Sequence, residues 1–385
     1  MTDDETFRAA LREFLDEYAP GKAPRGAAER LAFQKTWAAT KFDHGFAGPS
    51  WPREHGGMDL PFTQQVIYNQ EMARFRVPKH PGTGWEMVGP TLIEHGTSAQ
   101  RERYLKPMLR GDEVWAQGFS EPDAGSDLPA LRTTARRNGD HYVVAGQKVW
   151  NTNAEKADMC FILARTGTRE SRQDGISYLL VDAHAPGVTI RPIRDMADRE
   201  HFCEIHFDDV RVPVTDRVGE ENRGWRIARS TLGHERSAGA LTQAAFYRRI
   251  VDELIALARA RGAHHDVGVR RRLADFDARV RVMGVHAART IEAIAASGEP
   301  GPTSSISRLY NSTFEQELHE FAVDLLGPYG LLTKDDAETI QKGRWSTGWL
   351  ATRASTIGAG TAEIQRNTIA EQVLGLPHDP AMPKR

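Results

Sequence analysis

Residues 115–154 read WAQGFSEPDAGSDLPALRTTARRNGDHYVVAGQKVWNTNA, and two kinds of site chemistry share this short stretch. The first is the turn Ser120-Glu121-Pro122-Asp123-Ala124-Gly125-Ser126-Asp127. Pro-Asp-x-Gly is turn chemistry, and glycine lets backbone N–H groups approach an anion without interference from a Cβ. Ser126 adds a hydroxyl that can donate to a phosphate. The second is a run of β-forming residues ending in Trp150-Asn151-Thr152. Each piece taken alone has a plainer structural reading: a surface loop, a core aromatic of a β-domain, a hydroxyl at a strand end.

Working outward, the hydrophobic period divides the chain into three. Residues 1–113 follow a helical period, broken by the loop composition GFAGPSWPREHGG at residues 45–57. In residues 114–220, short runs rich in β-formers recur between turn signals: His141–Ala145, Lys148–Trp150, Met159–Ala164, Ile176–Val181, Val188–Ile193 and Phe202–Val212. The helical period returns over residues 221–385. There Ile250, Leu254 and Leu257, with Val251 and Ile255 beside them, form an apolar stripe on one long helix. A last helix is expected from Ala362 to Leu374, stopped by Gly375 and Pro377. The expected class is α+β: an N-terminal helical domain, a middle β-domain and a C-terminal helical bundle.

With 385 residues the chain exceeds one hydrophobic core, so two or three packed units are expected. A formal net charge of -2 leaves no electrostatic footprint for nucleic acid or an anionic membrane. No apolar run approaches the ~18 residues that span a bilayer. The N-terminus, MTDDETFRAALREFLDEY, is acidic and amphipathic, unlike a signal or transit peptide. The two cysteines, Cys160 and Cys203, suit a reducing compartment, so a cytoplasmic location is expected. No metal is expected: His201, Cys203, Glu204 and His206 alternate between two strand faces. His264-His265-Asp266 and Arg270–Arg272 read as solvated surface.

The helix–β–helix order, FSEPDAGSDL and GQKVWNTNAEKAD together resemble the acyl-CoA dehydrogenase superfamily. GPSWPREHGG, VGPTLIEHGTSAQRERYLKPMLRGDEVW, FDDVRVP, GEENRGW and GTAEIQRNTIAEQVLGLP fall in the matching order, so the resemblance runs nearly the full length. It implies FAD as cofactor and an acyl-CoA as substrate. Ser120 then matches the hydroxyl at the N1/O2 edge of the isoalloxazine, with Phe119 beside it through its backbone. Gly125 and Ser126 match the pyrophosphate cradle, Trp150 the aromatic flanking the ring, and Thr152 the hydroxyl at N5. Thr361 and Glu363 match further cofactor contacts. Electrostatic support at the flavin edge is what a protein adds to such chemistry.

Removing the α-proton of an acyl thioester needs a carboxylate in a dry pocket, where desolvation raises its pKa toward the working range. Many members of the superfamily carry that Glu just before Gly-Thr near the C-terminus; here the position is Ala359, in Gly358-Ala359-Gly360-Thr361. The resemblance leaves Ala359 a main-chain role, its N–H polarising the thioester carbonyl, with Gly360 at the substrate. Other branches carry the base on the helix after the β-domain, where this chain has Glu235 in TLGHERSAGA. The residues agree: Ala228, Leu232, Ala238 and Gly239 share a helix face with Glu235, and a carboxylate on a small, apolar face must be paired or functional. An ion pair with a neighbouring helix is the structural alternative. Arg236 matches an arginine near the acyl-CoA, with an internal salt bridge as its alternative.

The pattern breaks in two places. ARARGAHHDV at residues 258–267 lacks the Arg-x-x-Phe-Gly stretch that reaches a neighbouring subunit's FAD, and DLLGPYG at residues 324–330 replaces the Gln…Gly-Gly-x-Gly stretch. The expected assembly is a homo- or hetero-oligomer with a related subunit, passing electrons to an external acceptor of the electron-transfer-flavoprotein type. A flavin monooxygenase or oxidase on the same fold, and a non-catalytic partner subunit, are the alternatives.

Overall fold

Strand β3, His141–Thr152, runs unbroken through a stretch whose sequence reads as two strands. Gly146 is the reason. It sits at a bulge between β3 and its neighbour, at φ +148°, and a Cβ there would lie 2.6 Å from the Thr133 hydroxyl oxygen. The interruption in the apolar pattern is therefore a bulge inside one strand.

The computed structural model describes residues 2–24, 26–297, 301–334 and 336–378, without the side chains of 235–242, 291 and 294–297. The chain divides into two compact units, one of Met1–Arg194 with Glu200–Glu235 and the other of Asp195–Arg199 with Arg236–Arg385. The first opens with helices α1 (Asp3–Tyr18), α2 (Ala27–Asp43), α3 (Phe62–Phe75), α4 (Val88–His95) and α5 (Ser98–Arg110). Capping boxes at Thr2/Glu5 and Thr97/Gln100 start α1 and α5 by satisfying otherwise orphaned N–H groups.

The sheet follows. Its strands are β1 (Trp115–Gly118), β2 (Thr134–Asn138), β3, β4 (Met159–Arg165), β5 (Ile176–Asp182), β6 (Val188–Ile193), β7 (Phe202–Pro213) and β8 (Arg217–Val218). They lie in the order β6-β7-β3-β2-β4-β5-β8, and β1 pairs in parallel with β4. Every residue of β4 is buried. Phe161 and Leu163 pack toward the Leu105, Met108 and Leu109 side of α5, and Cys160, Ile162 and Ala164 pack with Val144, Ile205 and Val212 on the other face. Cover on both faces explains why this strand reads as a continuous apolar run rather than an alternation.

The second unit is helical. Helix α6, Gly224–Ala260, begins in the first unit and continues here, followed by α7 (Val267–Ser297), α8 (Ser304–Leu326), α9 (Arg344–Ala351) and α10 (Ala362–Thr368). The expected stripe on α6 is the core: Ile250, Val251, Leu254 and Leu257 are buried with Phe276 of α7, Phe314 and Leu318 of α8 and Trp345 of α9. The fold is thus helical, then β, then helical, as the periods required. Two expectations need correction. The last α-helix ends at Thr368, and Ile369–Val373 form a π-turn that continues it toward Gly375. Arg272 is not simply solvated: it donates to Glu317 (3.0 Å) and lies over the Phe276 ring.

Candidate functional site

The loop after β1 is tied down along its length. Phe119 is buried, edge-on to Phe161 (5.8 Å) and Tyr178 (5.9 Å). The Ser120 carbonyl accepts the Val149 N–H at 3.0 Å, which seats this residue against β3 one position before Trp150. Glu121 and Ala124 exchange backbone hydrogen bonds of 3.0 and 3.1 Å around Pro122-Asp123, the turn that the sequence anticipates. Beyond it Gly125 and Ser126 are exposed, and a Cβ on Gly125 would meet nothing within 4 Å. The backbone there is open to an approaching group.

Beneath the loop lies a buried ion pair that sequence reasoning missed. Lys148, with no exposed surface, donates from Nζ to Glu121 Oε1 (2.7 Å) and to the Phe119 carbonyl (3.1 Å). Glu121 also accepts the backbone N–H groups of Arg132 (2.6 Å) and Thr133 (2.9 Å). Burial pushes the Lys148 ammonium down to about 8, the Glu121 charge opposing it. Burial pushes the Glu121 carboxyl up, but Lys148 and the hydrogen bonds from residues 132 and 133 together hold it below the usual carboxylate range. One carboxylate therefore joins both ends of the 119–133 loop to β3. Strand parity was the available signal: Tyr142, Val144 and Lys148 all point inward.

Strand β3 reaches the loop through a second bulge, between Lys148 and Asn151, where three steps along β3 face two along β7. Trp150 occupies it at φ +65°, a left-handed conformation that is an outlier for a bulky residue. Asn151 anchors the bulge, its side-chain N–H donating to the Gln117 carbonyl at 2.7 Å. The result turns Trp150 outward: it is 58 % exposed, with Phe202 edge-on at 5.9 Å. Thr152 is exposed on the same side of the strand. Among the described residues, the hydroxyls of Ser120, Ser126 and Thr152 have no hydrogen-bond partner. An open aromatic face, free hydroxyl donors and an unshielded glycine loop match what a flat, polar-edged, phosphate-bearing cofactor requires. They do not match the core reading of Trp150.

In the second unit, the Gly358-Ala359-Gly360 turn precedes α10. Ala359 adopts φ +51° and Gly360 φ +88°. Thr361 is the N-cap of α10, its hydroxyl accepting the Ile364 N–H at 3.3 Å. Glu363 is exposed in the first turn, and its own backbone amide, then the Thr361 hydroxyl, hold its carboxyl below the usual range. Glu235 and Arg236 both fall within α6, but their side chains lie outside the described residues. Of the face expected around Glu235, Ala228 is buried and Leu232 packs partly buried against the same core cluster. The two segments that depart from the superfamily pattern meet: the Arg261 guanidinium sits 5.3 Å from the centre of the Tyr329 ring. Among the described residues no group of His, Cys, Asp and Glu is arranged to hold a metal ion, and no helix is long and apolar enough to cross a membrane.

Comparison with known proteins places this geometry in context. Residues 1–112 match the acyl-CoA dehydrogenase N-terminal domain, residues 116–210 the middle domain and residues 222–374 the C-terminal domain. The chain is 40% identical to the acyl-CoA dehydrogenase IpdE1 of Mycobacterium tuberculosis, covering 98% of this chain and 99% of that protein. It is 38% identical to IpdE1 of Mycolicibacterium smegmatis, with the same coverage. Among solved structures it is similar to the Tcur3481-Tcur3483 steroid ACAD, with a TM-score of 0.84, 28% identity and 98% coverage of both chains. It is also similar to the ChsE4-ChsE5 complex from Mycobacterium tuberculosis, with a TM-score of 0.81 and 29% identity, covering 98% of this chain and 99% of that one.

Proposed function

The chain belongs to the acyl-CoA dehydrogenase family, and from that premise we propose that it introduces an α,β double bond into an acyl-CoA thioester with FAD as cofactor. The observation that carries this reading is Trp150, an aromatic face turned to solvent at a strained bulge beside the unpartnered hydroxyls of Ser120 and Thr152. Backbone strain of roughly 1–3 kcal/mol persists where the surroundings enforce it, and it clusters at functional sites.

In this reading Trp150 would stack on the flavin, Ser120 and Thr152 would donate to its edge with Phe119 beside them through the backbone, and Gly125 and Ser126 would cradle its pyrophosphate. Thr361 and Glu363 would be further cofactor contacts. When bound, a flavin would supply the two-electron oxidant for removal of the β-hydrogen with its electron pair. Glu235 takes the α-proton. The Ala359 N–H donates to the thioester oxygen as negative charge develops there, and Gly360 and Arg236 hold the substrate. A steroid-derived acyl group is the proposed substrate class, because the related Tcur3481-Tcur3483 structure is that of a steroid ACAD. That structure and ChsE4-ChsE5 each pair two proteins, which supports assembly of this chain with a related subunit. An external acceptor of the electron-transfer-flavoprotein type, and a cytoplasmic location, complete the proposal.

The reading is tested by purifying the chain alone and co-expressed with a related subunit, then assaying acyl-CoA oxidation with an artificial acceptor over straight-chain, branched and steroid-derived thioesters. Enoyl-CoA formation is expected. An oxygen adduct on mixing reduced enzyme with dioxygen, without enoyl-CoA, would instead establish a monooxygenase. Full FAD occupancy and normal turnover of the chain alone would count against the second subunit. The Trp150 assignment has its own check. Trp150→Gly relieves the left-handed strain, so apo-protein stability should stay within about 1 kcal/mol of wild type. Flavin affinity should fall roughly tenfold, the worth of an aromatic contact of about 1.5 kcal/mol. A destabilised fold that binds flavin normally would make Trp150 structural.

A further inference from the structure

From Gly358 to Thr361 the carbonyls are engaged, whereas of the N–H groups only that of Gly358 has an acceptor among the described residues, donating to the Ala354 carbonyl at 3.0 Å. Arg308, on α8, donates from Nη2 to the Gly358 carbonyl (2.6 Å) and to the Ser355 carbonyl (2.8 Å). Gln365, on α10, donates from Nε2 to the carbonyls of Ala359 (3.2 Å) and Gly360 (3.3 Å). The Thr361 carbonyl accepts the Gln365 backbone N–H at 2.9 Å. Four successive carbonyls are thus engaged. Among the described residues, the N–H groups of Ala359, Gly360 and Thr361 have no acceptor.

A trans peptide is planar, so its N–H points opposite to its C=O. The N–H of Ala359 belongs to the peptide whose oxygen is Gly358 O, and Arg308 holds that oxygen. The N–H groups of Gly360 and Thr361 belong to the peptides whose oxygens Gln365 holds. Each clamp on a carbonyl therefore sets the direction of the following amide. The Gln365 amide also lies close against Gly360, where a Cβ would fall 2.6 Å from its Nε2. A charged donor on the carbonyl also polarises the peptide, strengthening the N–H as a donor. Ala359 is held in its left-handed conformation by this same frame, a conformation that disfavours a residue with a Cβ.

We propose that Arg308 is a positioning residue that aims and polarises the Ala359 amide toward the thioester oxygen, with Gln365 fixing the next two peptides of the turn. The inference rests on the acyl-CoA dehydrogenase reading given above, but its core, that Arg308 sets the direction of the 358–359 peptide, can be tested without substrate.

The experiment uses the full chain, assembled with its partner subunit if it requires one, as wild type, Arg308→Gln, Arg308→Lys and, as a control, Ser355→Ala. Ser355 donates to Glu315 (2.6 Å), so the control loosens the neighbouring segment while leaving both peptide clamps in place. The first readout is a ligand-free crystal structure, in which the 358–359 peptide should rotate in Arg308→Gln. The second is the infrared carbonyl band of an enoyl-CoA isotopically labelled at the thioester carbon, offered with straight-chain and steroid-derived acyl groups. On wild type the band should lie below its position in water, and Arg308→Gln should lose most of that shift. Turnover should fall about 10–100-fold, less than the cost of deleting an oxyanion donor outright, while KM changes less than about threefold. Arg308→Lys should recover part of both, and Ser355→Ala should leave both unchanged. An Arg308→Gln protein with an unrotated peptide and an undiminished band shift overturns the proposal. If wild type shows no shift with any thioester, the role given to the Ala359 amide fails instead, and the ligand-free structure alone decides whether Arg308 directs the peptide.

Discussion

Glu235→Gln is expected to lower turnover by about 10²–10⁴-fold, the usual worth of a positioned general base, while flavin content and acyl-CoA affinity stay near wild type. Glutamine keeps the size and polarity of the side chain but cannot accept the α-proton. The prediction is severe because the other position from which the family supplies its base is occupied by Ala359, which has no acid to offer. That also supplies a second arm. In Glu235→Gln/Ala359→Glu, a carboxylate is restored at the alternative position, on a turn already at φ +51°. The unbranched glutamate side chain meets much the same left-handed penalty that Ala359 already bears, so partial recovery of turnover is expected rather than unfolding. The pH profile should move with the base, because the carboxyl is then carried by a different element. Near wild-type dehydrogenation by Glu235→Gln would sink the assignment and return the oxidase and monooxygenase readings to the front.

The second large effect concerns stability. Lys148→Met alone, or Glu121→Gln alone, is expected to destabilise the protein by about 3–5 kcal/mol, because each leaves a buried charge without its counter-charge. The double variant Lys148→Met/Glu121→Gln should recover most of that loss, since no charge then remains in the apolar interior. Chemical denaturation of the four proteins gives the coupling directly, and additive single losses would mean that the two residues act independently. The pair also bears on the site. Glu121 holds both the Lys148 ammonium and the backbone at residues 132–133, and Ser120 lies next to it in the chain. Each single variant should therefore weaken flavin binding as well, with the double variant closer to wild type. Unchanged flavin affinity in destabilised single variants would separate the loop's stability from its function.

Much of the architecture was legible in local chemistry. Period alone marks the helical ends and the β-rich middle, because burial of one helix face or one strand face imposes a repeat of 3.6 or 2 residues. Val188–Ile193 needed nothing beyond that, whereas Met159–Ala164, buried on both faces, is marked by an unbroken apolar run instead. The failures have equally local causes. Strand β1 is four residues long and ends at Gly118, and β2, TARRN, buries one side chain, Ala135, so neither has enough period to be seen. Gly146 imitates a strand break, although it is a bulge forced by the approach of Thr133. The C-terminal turn carries a helical pattern through Leu374, but period does not distinguish an α-turn from the π-turn at Ile369–Val373.

The sequence by itself determined the kind of chain this is: the order of helical and β-rich zones, the FSEPDAGSD and WNT segments that resemble a flavin site, the missing acid at Ala359 and the Glu235 that could replace it. Tertiary structure alone decided how the site's parts are held. Lys148 reaches Glu121 across 27 positions, and Arg308 reaches the Gly358 carbonyl across 50. No repeat in the sequence encodes such pairings, because they depend on which backbones pack together and not on the spacing of neighbours along one element. The outward turn of Trp150 is of the same kind. A tryptophan in a β-run reads as core until the register with β7 slips by one residue and presents the ring to solvent.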